Sequence, residues 1–165
     1  MRFWCRLPEG LVFRTPEGLI ATWFGAGLLR PLPGTCGSLA ALPLGWVLYL
    51  LGGSTAIALA AIAIFLLGSW ACDKLLADLH AEHDHDLPGI VVDEVAGQLV
   101  ALIPAALTPE AWLVAFLAFR LFDMWKPWPI RLIDRRVAGT PGIMCDDIVA
   151  GIAAAVVVWL TVPLL

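Results

Sequence analysis

The fold of this chain follows from one stretch, Phe119–Gly151, whose sequence is FRLFDMWKPWPIRLIDRRVAGTPGIMCDDIVAG. It contains half of the ten basic residues, namely Arg120, Lys126, Arg131, Arg135 and Arg136. It also contains four carboxylates, namely Asp123, Asp134, Asp146 and Asp147. Apolar runs typical of membrane helices flank it on both sides. Basic groups can hold a phosphate and carboxylates a divalent cation, so this stretch beside a bilayer indicates chemistry on a phosphorylated lipid.

The composition is that of a membrane protein. Of the 165 residues, 61% are hydrophobic and 15% are charged, whereas a water-soluble domain has about 45–50% apolar and about 25% charged residues. We therefore expect one membrane-embedded domain, 1–165, with residues 1–18 as a loose N-terminal extension. Nucleic-acid binding is excluded, because no basic patch lies apart from the apolar runs. The four cysteines form no CxxC pair, and we expect free thiols in a reduced compartment.

The apolar runs predict an all-α integral membrane bundle of about four to five helices, with the polar motifs clustered at one membrane face. Thr108 and Pro109 have the residue types of a helix N-cap and first position, and Gly52-Gly53 separates the first two helices. The first helix is shorter than the ~20 residues of a perpendicular crossing, so it is tilted, re-entrant or buried among its neighbours. The predicted helices span about 39–51, 55–78, 90–107, 110–125, 129–136 and 144–163.

These helices place every basic residue on one side of the membrane. The N-terminal segment, the loop at 73–89 and the stretch at 120–147 fall on that side, while the turns near 52 and 108 carry no Lys or Arg. Cytoplasmic loops carry the excess of Lys and Arg, so we expect this side to be cytoplasmic. The same arrangement brings acidic motifs that are distant in sequence to one membrane face.

Two acidic pairs open predicted helices. Asp93-Glu94 begins the third helix and Asp146-Asp147 begins the last. Carboxylates at a helix N-terminus are stabilised by the helix dipole and can be simple caps. Alternatively, unpaired carboxylates near a low-dielectric region need a cation, and their oxygens suit Mg²⁺. Gly97 and Gly151 each follow an acid by one turn, where they would permit close helix packing.

Three charged residues end the fourth predicted helix. Arg120, Asp123 and Lys126 are spaced i, i+3 and i+6, so they line one helix face. Arg120 and Asp123 could form a purely structural ion pair. In the functional alternative, Asp123 takes a cation while Arg120 and Lys126 hold phosphate oxygens, the first as a fork and the second as a point charge. Pro127 is expected to hold the backbone of Lys126 in an extended conformation.

The segment Gly34–Ser38, GTCGS, precedes the first predicted helix. Its exposed amides and the hydroxyl groups of Thr35 and Ser38 could cradle a phosphate at the helix N-terminus. Ser38 could equally serve only as the N-cap of that helix.

Four stretches together closely resemble the phosphatidylglycerophosphatase A family. They are FRLFDMWKPWPIRLIDRR, GIMCDDIVAG, PGTCGSLAALP and IVVDEVAGQLVALIP, and the resemblance covers about residues 19–160 in matching order. It implies an all-helical enzyme of the bacterial inner membrane that uses Mg²⁺. Such enzymes remove the terminal phosphate of phosphatidylglycerophosphate to give phosphatidylglycerol. Seven residues stand at the motif positions of the family: Asp93, Glu94, Arg120, Asp123, Lys126, Asp146 and Asp147.

The sequence therefore assigns three overlapping sets of site residues at the cytoplasmic face. Asp93, Glu94, Asp123 and Asp147 are the predicted catalytic residues. Arg120, Lys126, Thr35 and Ser38 are the predicted phosphate ligands. Asp93, Glu94, Asp123, Asp146 and Asp147 are the predicted Mg²⁺ ligands. The nucleophile is either a water molecule or an aspartate.

Other functions explain fewer of these residues. A phosphotransferase acting on CDP-activated alcohols would need a long DGxxAR-type signature, which the sequence lacks. A small cation carrier would explain the carboxylates but not Arg120 and Lys126 beside Asp123. His80, His83 and His85 could bind zinc, but the interleaved carboxylates favour a solvated polar loop. A lipid phosphatase with a histidine nucleophile is disfavoured, because all three histidines lie within six residues and none lies beside a basic motif.

The distribution of basic residues gives a testable topology. Arg14, Lys74 and Arg135 should all face the cytoplasm, because cytoplasmic loops retain Lys and Arg. Single cysteines introduced at these positions should react with a membrane-impermeant thiol reagent only after the inner membrane is opened. Labelling of any one of them from the periplasm would contradict the shared cytoplasmic face.

Overall fold

The computed structural model describes residues 14–78, 89–105, 107–128, 130–132, 137 and 139–161. Every regular element in these ranges is helical, which confirms the predicted all-α fold. A short 3-10 helix, Ala26–Leu28, lies between the first two α-helices. The α-helices are α1 (Pro16–Ala21), α2 (Pro33–Asp78), α3 (Val92–Leu102), α4 (Pro109–Trp125) and α5 (Thr140–Thr161).

Helix α2 consists of two arms, 33–51 and 54–78, which meet at Gly52-Gly53. Gly53 has φ +61° and ψ −152°, a backbone conformation that is open only to glycine without strain. The two arms run side by side, since Gly37 in the first approaches Val91 and Gly68 in the second approaches Val92. The predicted break between two helices is therefore confirmed.

Prolines move three helix boundaries from their predicted positions. The first arm of α2 begins at Pro33 rather than at 39, because proline is favoured at the first position of a helix. Helix α5 begins at Thr140 rather than at 144, since Pro141 is tolerated in its first turn. Helix α3 ends at Leu102 rather than at 107, just before Pro104, which has no N–H to continue the helix.

Helix α4 has the predicted start. The side chain of Thr108 accepts a hydrogen bond from the backbone N–H of Ala111 at 3.3 Å, and Pro109 occupies the first helical position. Of the short helix predicted at 129–136, the structure describes residues 130–132, which are helical. The rest of that helix and the polar loop with its three histidines lie outside the described residues.

Helices α3 and α5 pack backbone against backbone. A side-chain carbon at Gly97 would meet the carbonyl oxygen of Asp147 and the ring of Phe119. A side-chain carbon at Gly151 would meet the carbonyl oxygen of Gly97. The predicted role of these glycines in close packing is confirmed, and the contact brings the acid-bearing ends of the two helices together.

The outside of the bundle is strongly apolar. Of the described helices, α2 and α5 are long and apolar enough to cross a membrane. Many large apolar side chains point outward, including Leu51, which is 78% exposed, and Trp128, which is 81% exposed. An apolar surface of this extent favours contact with lipid over contact with water.

The close contact of Gly97 with α5 predicts that one methyl group added at this position destabilises the protein. Gly97→Ala should lower the free energy of unfolding in detergent by about 1–3 kcal/mol, because the carbonyl oxygen of Asp147 is backbone and cannot rotate away. Phosphate release should fall as well, since the acidic residues lie along this seam.

Gly68→Ala is the matched control for this substitution. The same gain in helix propensity applies there, but the new methyl group would meet only side-chain carbons of Val92 and Met144. Equal stability of the two variants would contradict the backbone contact.

Candidate functional site

Three carboxylates meet where α3 and α5 touch. Asp93 and Glu94 lie in the first turn of α3, and Asp147 lies in the second turn of α5. One carboxylate oxygen from each of the three lies within 4.8 Å of the others. Asp147 is only 4% exposed and Asp93 and Glu94 are half-buried, so the group is partly enclosed at one end of the bundle. We call Asp93, Glu94 and Asp147 the acidic cluster.

The acidic cluster contains three acidic groups and no basic group, so its negative charge is not balanced within it. The Oδ1 atom of Asp93 accepts a hydrogen bond from the backbone N–H of Glu94 at 3.0 Å. The Oε2 atom of Glu94 is buried and has no hydrogen-bond partner among the described residues. Burial raises the pKa of Asp93 and Glu94, which lie outside the two candidate spans, and the charge of Asp93 raises the pKa of Glu94 further. Carboxylates in this situation are stabilised either by protonation or by a cationic partner.

Arg120 supplies positive charge beside the cluster. Its Nη1 atom lies 2.6 Å from Oδ2 of Asp123, with the two side chains 14% and 13% exposed, so the predicted structural ion pair is present. The same nitrogen donates to the Oγ atom of Ser38 at 3.3 Å. Gly34 allows this arrangement, because a side chain there would collide with the carboxylate of Glu94 and approach the guanidinium of Arg120.

Lys126 contacts a different acid from the one its spacing indicated. Its Nζ atom lies 2.6 Å from Oδ2 of Asp146 on α5. The extended backbone predicted for Lys126 is wrong, because φ 44° and ψ 61° place it in the left-handed region. That conformation ends α4 before Pro127, and the N–H of Lys126 donates to the carbonyl of Phe122 at 2.9 Å.

The aspartates therefore occupy distinct positions. Asp147 belongs to the acidic cluster, whereas Asp146 pairs with Lys126. Asp123 lies at the edge of the cluster, where its side chain interacts with that of Asp147 while it is paired with Arg120. Two of the five predicted Mg²⁺ ligands thus carry basic partners.

The segment Gly34–Ser38 is part of a helix. Because α2 begins at Pro33, these residues form its first turns, so their predicted place ahead of the helix is wrong. The phosphate contacts of Thr35 and Ser38 stay a prediction. Ser38 does not cap the helix, since its hydroxyl donates to the carbonyl of Gly34 at 3.0 Å within the helix. Thr35 is half-buried in the first turn.

Sequence reasoning missed two residues of this region. Gly34 sets the approach of α2 to Glu94 and Arg120, and its only signal was a glycine beside a proline. Gln98 is fully buried one turn after Glu94, and both atoms of its amide lack hydrogen-bond partners among the described residues. A lone amide in the apolar run VAGQLVAL was the signal for Gln98.

Comparison with known proteins agrees with this geometry. A model of the phosphatidylglycerophosphatase A family matches residues 19–162. The chain belongs to the phosphatidylglycerophosphatase A family. Membership places it among phosphatases, and the matched range includes every residue of the acidic cluster together with Arg120.

Relatives of the chain cover most of its length. Phosphatidylglycerophosphatase A of Haemophilus influenzae is 43% identical over 147 residues, which are 87% of each chain. Phosphatidylglycerophosphatase A of Escherichia coli is 40% identical over 153 residues, 88% of this chain and 83% of the relative. A putative phosphatidylinositol-3-phosphatase of Bacteroides thetaiotaomicron is 33% identical over 148 residues, 85% of this chain and 89% of the relative. No solved structure matches the chain significantly.

Substitutions of Lys126 can distinguish a catalytic role of this residue from a structural role as the partner of Asp146. Lys126→Met should lower kcat about 10²-fold, as expected for removal of one preorganised donor to a phosphoryl oxygen. Lys126→Arg retains a cation for Asp146 and should restore thermal stability, but it should recover little of kcat, because a planar fork does not reproduce a point charge. Both variants are measured by steady-state phosphate release and thermal unfolding.

If Lys126→Arg has the kcat of the wild type, the residue acts only as the partner of Asp146. An unchanged KM with lowered kcat in Lys126→Met would indicate contact in the transition state, whereas a raised KM alone would indicate ground-state binding.

Proposed function

We propose that this protein is a Mg²⁺-dependent lipid phosphatase that hydrolyses phosphatidylglycerophosphate to phosphatidylglycerol and phosphate in phospholipid biosynthesis. One observation carries the proposal: the acidic cluster and the guanidinium of Arg120 meet at one end of an apolar bundle. Two relatives at 40–43% identity are named phosphatidylglycerophosphatase A, which supports the choice of substrate.

The acidic cluster fits a hard divalent cation. Asp93, Glu94 and Asp147 offer one oxygen each within 4.8 Å, and the buried Oε2 atom of Glu94 has no other partner among the described residues. Mg²⁺ prefers oxygen ligands and keeps coordination positions for water and substrate phosphate. A bound Mg²⁺ would supply Lewis-acid polarisation of the phosphate and would acidify a water molecule.

The basic residues are suited to hold the phosphate. The guanidinium of Arg120 is fixed by Asp123 and Ser38, so it is oriented before substrate arrives. A preorganised donor of this kind stabilises the charge that develops on the oxygens of the transferring phosphoryl group. Lys126, held by Asp146 on the neighbouring helix, adds a second positive charge at the same end of the bundle. Thr35, in the first turn of α2, would contribute its hydroxyl group.

The bundle would lie in the bacterial inner membrane with this end toward the cytoplasm. Among the described basic residues, Arg30, Lys74, Arg120 and Lys126 lie near the helix ends that carry the site, which supports this orientation under the positive-inside rule. The apolar exterior and two helices of spanning length support a bilayer location. The relatives come from bacteria.

A panel of phosphate monoesters tests the proposed activity. Detergent-solubilised protein should release phosphate from phosphatidylglycerophosphate with Mg²⁺ and lose that activity in EDTA, because the acidic cluster would then lack its cation. Phosphatidylinositol 3-phosphate tests the alternative named by the Bacteroides relative. Water-soluble glycerol 3-phosphate tests whether the lipid part is required. Faster hydrolysis of either alternative substrate would overturn the proposed specificity, and full activity in EDTA would overturn the cation.

Asp147→Asn is the variant that connects this activity to the site. The change preserves the shape of a buried side chain but removes the charge that a hard cation requires. We expect turnover to be abolished while helicity by circular dichroism is unchanged. Activity like that of the wild type at saturating Mg²⁺ would remove Asp147 from the site.

A further inference from the structure

Gln98 is a polar side chain in the protein interior, where an unpaired polar group destabilises the fold. It lies in α3, is 0% exposed, and neither its Nε2 nor its Oε1 atom has a hydrogen-bond partner among the described residues. Burying an unpaired amide destabilises a protein, so a buried glutamine normally has partners in the working state. The neighbours of Gln98 indicate what those partners are.

The direction of Gln98 follows from the residues one turn before and after it. Glu94 precedes it by four residues and approaches Gly34 at the start of α2. Leu102 follows it by four residues and approaches Gly45 of the same arm. Residues four apart lie on one face of a helix, so Gln98 faces the first arm of α2 between those two levels.

Arg120 approaches the Glu94 end of this face from α4. Its Nη1 atom donates to Ser38, which is fully buried and lies on α2 between Gly34 and Gly45. The Nε atom of Arg120 is buried and has no acceptor among the described residues. Gln98 thus lies one helical turn after Glu94, on the face of α3 toward the arm of α2 where Gly34 meets both Glu94 and Arg120.

The unsatisfied atoms of Glu94, Gln98 and Arg120 are chemically complementary. The Oε2 atom of Glu94 is an acceptor without a donor, and the Nε atom of Arg120 is a donor without an acceptor. The amide of Gln98 offers one donor group and one acceptor, both unused. Two hydrogen bonds would satisfy all four atoms.

We propose that Gln98 is a positioning residue that links Glu94 to Arg120. Its Nε2 atom donates to Oε2 of Glu94 and its Oε1 atom accepts from Nε of Arg120, directly or through an ordered water. The link sets the spacing between the carboxylates that hold the cation and the guanidinium that holds the phosphate. This inference rests on the proposed function, since it assigns Glu94 to the cation and Arg120 to the phosphate.

Gln98→Met tests the link, because methionine has nearly the same length and no amide. Loss of a residue that hydrogen-bonds a metal ligand typically weakens metal affinity or activity 10–100-fold. We expect a loss of about that size in Mn²⁺ affinity, measured by calorimetric titration of the full chain in detergent, and a comparable fall in kcat. Leu99→Met is the matched control, as it makes a volume-conserving change at the adjacent buried position. It should preserve both quantities.

The outcomes separate this proposal from the proposed function. Wild-type Mn²⁺ affinity and kcat in Gln98→Met would overturn the link, even if the wild type hydrolyses phosphatidylglycerophosphate. A wild type that releases no phosphate would overturn the function, while the Mn²⁺ titration would still decide the link. If Gln98→Met does not fold, Gln98→Asn keeps the amide but is one methylene too short to bridge, and it should show the same direction of loss.

Discussion

The main constraint on this structure is that helix packing holds three carboxylates close together at one end of an apolar bundle, where they repel one another. Two unit charges about 5 Å apart repel by about 3 kcal/mol at an effective dielectric constant of 20. The backbone contact of Gly97 with α5 brings Asp147 to Asp93 and Glu94 and leaves these acids little room to separate. Such an arrangement is unfavourable while all three groups are charged, and a bound cation would relieve the repulsion. This constraint is the basis for the divalent ion that we propose at this position.

The depth of the acidic cluster follows from helix lengths. Helix α5 has 22 residues and so spans about 33 Å, enough to cross the hydrocarbon core of a bilayer. Asp147 is seven residues from Thr140, the start of α5, which places it about 10 Å along that helix. Helix α3 has only 11 residues, and its sixth residue, Gly97, lies against the backbone of Asp147. The acidic first turn of α3 therefore lies between the levels of Thr140 and Asp147 along α5, below the end of the longer helix.

Arg120 and Lys126, the basic groups near this cluster, are each held by polar side chains. Asp123 and Ser38 orient Arg120, and Asp146 on α5 holds Lys126 at the end of α4. The contacts of Arg120 with Ser38 and of Lys126 with Asp146 also connect α4 to α2 and to α5. If these basic groups bind the phosphate as proposed, the contacts that join the helices also position the charges.

Local features of the sequence determined the helices and the class of chemistry. Gly52-Gly53, the Thr108 cap and the apolar runs act within a few residues, so the break in α2 and the start of α4 were predictable. The family motifs likewise identified Asp93, Glu94 and Asp147 before any geometry was known. Only the tertiary structure showed that Lys126 pairs with Asp146, that Gly34 admits Glu94, and that Gln98 is fully buried. The first two contacts join residues 20 and 60 positions apart in the sequence. All three features are set by helix packing, which local sequence patterns do not encode.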